Sequence, residues 1–494
     1  MSAVTALNSA SRVPAGEAPL GTLVCPEPSE RPDLWPTTAR RTASGELALG
    51  GLGVSTLLEQ APTPVFVLDE ADFRGRAATW SAAMAEEFWE GYGMRGGEAF
   101  YAGKAFLTTS VARMVLEEGM GIDTASRVEL AVGLKALVQV DGPQAATAAR
   151  RLGLHGNGKT AQEVASAVRH RVGHLVIDSA EEVGHVIAAV RRLRSSGDLG
   201  AGERAGVMVR LTTGIHAGGH EYVATAHEDQ KFGLSVASGA ARRVIDAVLA
   251  AEELTLTGLH SHIGSQIMDL AGFRKAVEVV LRLRHEVAAE GGCLCPEIDL
   301  GGGYGIAYTG ADPVAPTAAE VARALAEAVR ATCAELGDEP PRVSVEPGRC
   351  VAGPSQVTFY TVTGLKRVEL GEGTCRLYVS IDGGMSDNIR PALYGAAYTA
   401  LLASRRPDPA AGLVRCRVVG KHCESGDVVV RDVDLPADLA VGDVLAVPAT
   451  GAYGRSMASN YNLFTRPGVR WVREGRSGWV LRPETVEDLL ALEG

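Results

Sequence analysis

From about residue 98 the chain alternates short apolar runs with amphipathic stretches. The runs are AFYAGKAF (99–106), MGIDTAS (120–126), LGLHGNG (152–158), HLVIDS (174–179), GVMVRLT (206–212), LTGLHSHIGS (256–265), EIDLGGGYG (297–305) and RVSVEPGR (342–349). Each ends in small or polar residues. The segments between them, such as AEEVGHVIAAVRRLRSS (180–196), carry apolar residues at helical spacing. Eight strand–helix units of this length predict an α/β fold of the (β/α)8, TIM-like barrel type; a doubly wound open sheet is the runner-up. Before this region, PVFVL (64–68) reads as a strand and 71–95 as helical.

Beyond about residue 355 the pattern changes. QVTFYTVTGLKRV, CRLYVSIDG, LVRCRVVG, DVVVRDVDL and DVLAVPATGA are rich in Val, Thr and Tyr and are separated by turn residues. They predict an antiparallel β domain over 355–494, with ETVEDLLALEG as a closing helix. Residues 1–45 show no periodicity and are expected to be a mobile extension. The barrel is assigned to 76–354.

Composition narrows the class. The chain has 494 residues and a net charge of −11, which excludes a generally basic nucleic-acid-binding surface. Its 59 glycines are about 12% of the chain, against a usual ~7%, and imply many tight turns and close backbone approaches. The eight cysteines are scattered without zinc-site spacing, so no metal site and no disulfide framework is expected. No signal-type leader and no run of eighteen apolar residues is seen, which predicts a soluble cytoplasmic protein with no membrane partner.

In a barrel, polar residues at the C-terminal ends of strands carry function. Here those ends offer Lys104, Asp123, His155, Asn157, His262, Ser265, the Gly301-Gly302-Gly303 run and Glu346-Pro347-Gly348-Arg349. The glycine run and Arg349 follow the seventh and eighth strands, where barrels often bind phosphate. A GGG turn alone is weak evidence; with Arg349 beside it, a phosphate site is favoured. Lys104 lies in an otherwise small and apolar strand. It reads equally as a strand-end Lys reaching solvent or as an amine of lowered pKa that forms a Schiff base. Pyridoxal phosphate joins the two observations, with its phosphate at the glycines and its aldehyde on Lys104. Glu346 then suits the pyridine nitrogen, and His262 the ring face. His260 and His262 share one facing by strand alternation.

The runs YAGKA, HGNGK, HEDQKFGLS, GLHSHIGSQI, DLGGGYG, EPGR, DGGMSDNIRPALYGA, CESGD and GAYGRSMASNYN span about 60 to 470. On them the chain resembles diaminopimelate decarboxylase, one of the pyridoxal-phosphate-dependent barrel decarboxylases (fold type III, alanine racemase-like). The resemblance implies a β domain completed by N-terminal residues 46–75 and a homodimer with shared active sites. It implies that Lys104 is the Schiff-base lysine, His262 the ring-stacking residue, Ser265 a phosphate contact and Gly303 with its neighbours the phosphate loop. Glu346 is the implied pyridinium partner. Arg349, Arg390 and Tyr394 are the implied holders of a substrate carboxylate. Cys423 is implied as a proton donor and Glu424 as an ammonium contact, both from the partner subunit, and Tyr453 as a contact of cofactor and substrate.

The implied reaction is decarboxylation of meso-2,6-diaminopimelate to L-lysine and CO2. An Arg at 390 suits a substrate with a distal carboxylate and would be misplaced in a diamine-forming enzyme. The alternative is a decarboxylase of a related or carrier-linked amino acid. A racemase is disfavoured by Glu346, and a regulatory relative by the presence of Lys104 and Cys423. The chain departs from the family pattern at Gly103, Gly158, Ser261 and Lys421.

Overall fold

The computed structural model describes residues 19–215, 231–371 and 374–494. Residues 1–18 of the expected extension, and His227–Gln230 of the HEDQKFGLS run, lie outside the described residues.

Eight parallel strands close into a barrel. With β1 given to Val65–Asp69, they are β2 Gly97–Ala102, β3 Gly121–Thr124, β4 Leu152–Leu154, β5 His174–Ile177, β6 Ala205–Thr212, β7 Leu254–Ser261, β8 Glu297–Asp299 and β9 Arg342–Val345. Each pairs with the next, and β9 returns to β2 with Val345 opposite Ala99. Every strand overlaps one of the eight apolar runs, and three of them begin one or two residues before it. Such runs are near-continuous because helices cover a parallel barrel outside and side chains fill it inside.

Helix α1, Glu70–Glu87, precedes the first barrel strand. Asp69 caps it by accepting from the Ala71 and Asp72 N–H groups. Phe73, Ala77, Trp80 and Met84 recur at three- and four-residue spacing and are buried. The helix ends at Glu87, earlier than the predicted 95, because a separate turn at Glu90–Tyr92 breaks the period.

The second domain is built on β10 Gln356–Gly371, β11 Thr374–Ile381, β12 Leu413–Val419, β13 Val428–Pro436, β14 Val444–Val447, β15 Val469–Arg473 and β16 Arg476–Leu481. The sheet order is β13-β12-β11-β10-β1-β15-β16, with β14 beside β10. Thus β1, from the N-terminal side of the barrel, sits in the middle of this sheet. The sheet is mixed rather than antiparallel: β11 runs parallel to β12, and β1 parallel to β15. The reason is connection length. The long 382–412 segment carries the chain back to the starting end of β11, and the whole barrel intervenes before β15.

Residues 19–45 correct the expectation of a mobile extension through 45. Cys25, Leu34 and Trp35 are buried in the core of the β domain, and the Trp35 indole donates to the Pro26 carbonyl at 3.0 Å. Arg41 pairs with Glu27 at 3.0 Å. The segment is largely irregular in backbone, so no hydrophobic period announced it.

Candidate active site

Neighbouring strand ends gather the chemistry at one mouth of the barrel. A cavity of about 200 Å³ there is lined by Lys104, Asp123, His155, Arg210, Phe232, His260, His262 and Glu346, among others. Lys104 lies in a single turn, Gly103–Ala105, at the end of β2. Its side chain is exposed, but what it faces is this cavity. Gly103 has no room for a side chain: a Cβ would stand 2.9 Å from the Asp123 carbonyl oxygen. The departure at 158 stands in a different setting. Gly158 has φ +65° with open space around it, a conformation that Gly and Asn tolerate.

Beneath Lys104 sits a buried group of titratable side chains. Glu346 Oε1 lies 3.2 Å from His260 Nε2 and 3.2 Å from His155 Nε2. Asp123 Oδ1 lies 3.1 Å from His155 Nε2, though not aligned as a hydrogen bond. Burial and then the Glu346 charge push the Asp123 carboxyl well above the usual carboxylate range. Burial holds His155 well below its usual value and takes His260 down to about 3, so both rings are neutral at pH 7. For Lys104 the lowered pKa expected from sequence is corrected. Burial pulls the ammonium down, but Tyr453, Asp123 and Glu346 outweigh it and the net shift is upward.

The glycine run lies against the same group. A Cβ on Gly302 would come within 2.2 Å of the Glu346 carbonyl oxygen, and one on Gly303 within 2.4 Å of that of Gly264. Gly301 and Gly303 have φ of +66° and +109°. Only glycine lets three stretches of backbone approach this closely. Gly302 N–H donates to His262 Nδ1 at 3.2 Å, which leaves the proton of the neutral ring on Nε2. Burial, with the Lys104 charge second, holds His262 well below its usual pKa. Gly301 N–H donates to Asp299 Oδ1 at 2.8 Å. Asp299 in turn faces His174 Nδ1 at 3.4 Å, and His174 Nε2 meets Glu297 at 2.8 Å. The two carboxylates overcome burial and raise His174 to about 10.

Pro347 and Gly348 join the barrel's last loop to its first strand. The Ala102 N–H donates to the Pro347 carbonyl at 3.2 Å, and Gly348 packs against the Ala102 methyl. This contact brings Glu346 and Lys104 to one cavity. Beside it, Arg349 donates to Ser265 Oγ at 2.8 Å and to the Tyr308 hydroxyl, and its guanidinium stands 4.9 Å from the Tyr453 ring centre. Tyr453, at φ +65°, donates its N–H to the Ala105 carbonyl next to Lys104. Arg390 is buried and donates to the Tyr398 hydroxyl.

Three expected site residues lie neither on this wall nor in the contacts around it. Tyr394, Cys423 and Glu424 are exposed. The loop bearing Cys423 is nevertheless firmly built. Asp427 accepts from the His422 N–H and its ring, both at 2.8 Å, and from the Met385 N–H at 2.6 Å. The His422 ring stacks on Tyr461 at 5.6 Å. Lys421, the departure in this loop, lies over the Phe464 ring at 4.5 Å.

Sequence reasoning missed Arg210, Phe232 and Tyr308. Arg210 projects from β6 within 3.7 Å of Asp178 and 4.6 Å of the Phe232 ring centre. Its only signal was a charge inside an apolar strand, GVMVRLT. The ligand atoms of His155, His260, Asp299 and Glu346 converge within 4.8 Å of one another.

The family model for the pyridoxal-dependent decarboxylases, pyridoxal binding domain, matches residues 73–353. The chain is 46% identical to the diaminopimelate decarboxylase of Corynebacterium efficiens, over 93% of this chain and 94% of that one. It is 44% identical to that of Mycobacterium tuberculosis, over 94% and 98%. Among solved structures, the diaminopimelate decarboxylase of M. jannaschii in co-complex with L-lysine superposes with a TM-score of 0.82 at 28% identity, over 93% of this chain and 98% of that one.

The cavity suits the group this family uses. It offers one amine for an aldehyde and a buried carboxylate for a ring nitrogen, with the glycine run and Ser265 close behind it on the side suited to a phosphate. Asp123 Oδ1, His155 Nε2 and His260 Nδ1 are buried without a hydrogen-bond partner among the described residues, as expected where a polar ring is to dock. On these grounds the chain belongs to the diaminopimelate decarboxylase family of pyridoxal-dependent enzymes.

Proposed function

We propose that this protein removes CO2 from meso-2,6-diaminopimelate and releases L-lysine, using Lys104 as the cofactor-holding amine. The observation that carries this reading is the convergence of Lys104, Glu346 and His262 on one cavity, with the buried Arg390 and with Arg349 on the adjoining wall. Pyridoxal phosphate, when bound, supplies the electron sink for the pair left behind as CO2 departs.

The residues divide the remaining work. Lys104 holds the aldehyde carbon, and Glu346 keeps a proton on the ring nitrogen. Neutral His262, oriented by the Gly302 N–H, covers a ring face. Gly303 and Ser265 would receive the phosphate, with Gly302 holding His262 beside it. Arg390 and Arg349 bind the distal carboxylate as charge-assisted forks, while Tyr453 closes the wall beside Lys104.

We further propose a homodimer in the cytoplasm. Cys423 of a second copy then protonates the substrate carbon, Glu424 meets the distal ammonium, and Tyr394 joins the carboxylate site. The exposure of Tyr394, Leu393, Tyr461 and Leu463 around these loops supports a covered face. The eight free cysteines accord with a reducing compartment, and no helix among the described residues is long and apolar enough to cross a membrane.

CO2 release measured on meso-diaminopimelate beside its LL and DD isomers tests the reading. Turnover should favour the meso isomer and yield lysine. Stronger turnover of ornithine, arginine or a carrier-linked amino acid would overturn it.

A further inference from the structure

Arg349 and Arg390 come from distant parts of the chain, one after β9 and one opening the short helix Arg390–Tyr394. No carboxylate among the described residues pairs with either. Both are instead organised by one buried aromatic residue. Tyr308 accepts a hydrogen bond from Arg349 through its hydroxyl and presents its ring to Arg390, whose guanidinium carbon lies 4.6 Å from the ring centre. Tyr398 backs the same ring edge-on at 5.1 Å and takes a hydrogen bond from Arg390. Tyr308 is itself fixed: its N–H and that of Thr309 both donate to Asp312 at 2.8 Å, and its ring packs into the core of the β domain.

Two guanidiniums that face one ring, at 5.9 Å and 4.6 Å from its centre, repel each other. The phenol oxygen and the electron-rich ring face are the negative features that let them stand together before any anion arrives. We infer that Tyr308 is a specificity-determining residue, which spaces Arg349 and Arg390 as a two-cation receptor for the distal carboxylate of the substrate. This rests on the reading of the substrate given above. A substrate ending in an amine alone would leave both cations uncompensated, so the same device rejects ornithine-like and lysine-like substrates.

The test compares Tyr308→Phe, which keeps the ring and loses the hydroxyl, with Tyr308→Leu, which loses both. Steady-state kinetics on meso-diaminopimelate are paired with calorimetric binding of L-lysine, the product that retains the distal carboxylate, to the holoenzyme. Tyr308→Phe should raise KM and the lysine Kd about fivefold, and Tyr308→Leu about thirtyfold or more, with kcat within about twofold and the cofactor absorbance unchanged. Unchanged KM and Kd in Tyr308→Phe would overturn the inference even if Tyr308→Leu fails to fold. A loss of kcat or of cofactor absorbance at constant KM would also overturn it, by assigning Tyr308 to the cofactor. Wild-type enzyme that releases no CO2 from diaminopimelate would overturn the substrate reading and this inference with it. Active wild type with indifferent variants would overturn the inference alone.

Discussion

The barrel mouth and the loop of Cys423, which the proposed function joins in one chemistry, are held in opposite ways. At the mouth, Lys104, Glu346 and His262 line a cavity within a single chain, and the glycine run packs against Glu346 and His262 behind it. On the β domain, Cys423 and Glu424 are equally well anchored, through Asp427 and His422, yet they face outward. A group can be rigidly positioned and still lack anything to act on. The difference teaches that the cavity at the mouth is walled by one chain, whereas on the proposed reading Cys423 reaches a substrate only in a second copy.

The largest expected effect comes from breaking the first half. Lys104→Ala should lower CO2 release by more than about a thousandfold and abolish the borohydride-sensitive absorbance, since among the described residues no other amine lines the cavity wall. Cys423→Ala should lower kcat about a hundredfold or more while the cofactor spectrum stays intact. A similar loss of both would show that the two regions are not separable. Mixing these two inactive variants sharpens the point. If sites are shared between chains, random reassociation restores about a quarter of wild-type activity; no recovery would place Cys423 in its own chain's site. Arg390→Lys, measured by steady-state kinetics, should raise KM about tenfold with little change in kcat, because a point charge replaces a fork.

The smallest effect is on stability. His174 sits beneath the glycine loop with a folded pKa of about 10, above the ordinary value of roughly 6.5. Its charged form therefore contributes stability in full below about pH 6.5, and the contribution is lost as pH rises through 10. The melting temperature of wild type should exceed that of His174→Gln by roughly 5 °C at pH 6.5, with the gap closing towards pH 10. A constant gap would mean the His174 charge plays no part.

Much of this was legible in the chain itself. The eight barrel strands were readable because each is a short apolar run followed by a helical period. The strand-end residues Lys104, His262 and Glu346 stood out as polar groups closing those runs. What escaped notice carries no period. Trp35 and Leu34 are buried by an irregular segment, and strand patterning does not encode whether β11 meets β12 in parallel. Arg210 resembles an outward-facing charge on a strand, and Tyr308 is an aromatic residue in a loop whose importance exists only through two arginines remote in sequence.

The identity of the cofactor-holding amine is tested most directly by borohydride reduction of the holoenzyme, followed by digestion and mass mapping of the pyridoxyl group. The expected result is a single label on the peptide that contains Lys104. A label on any other lysine, or none on an enzyme that still releases CO2, would contradict it.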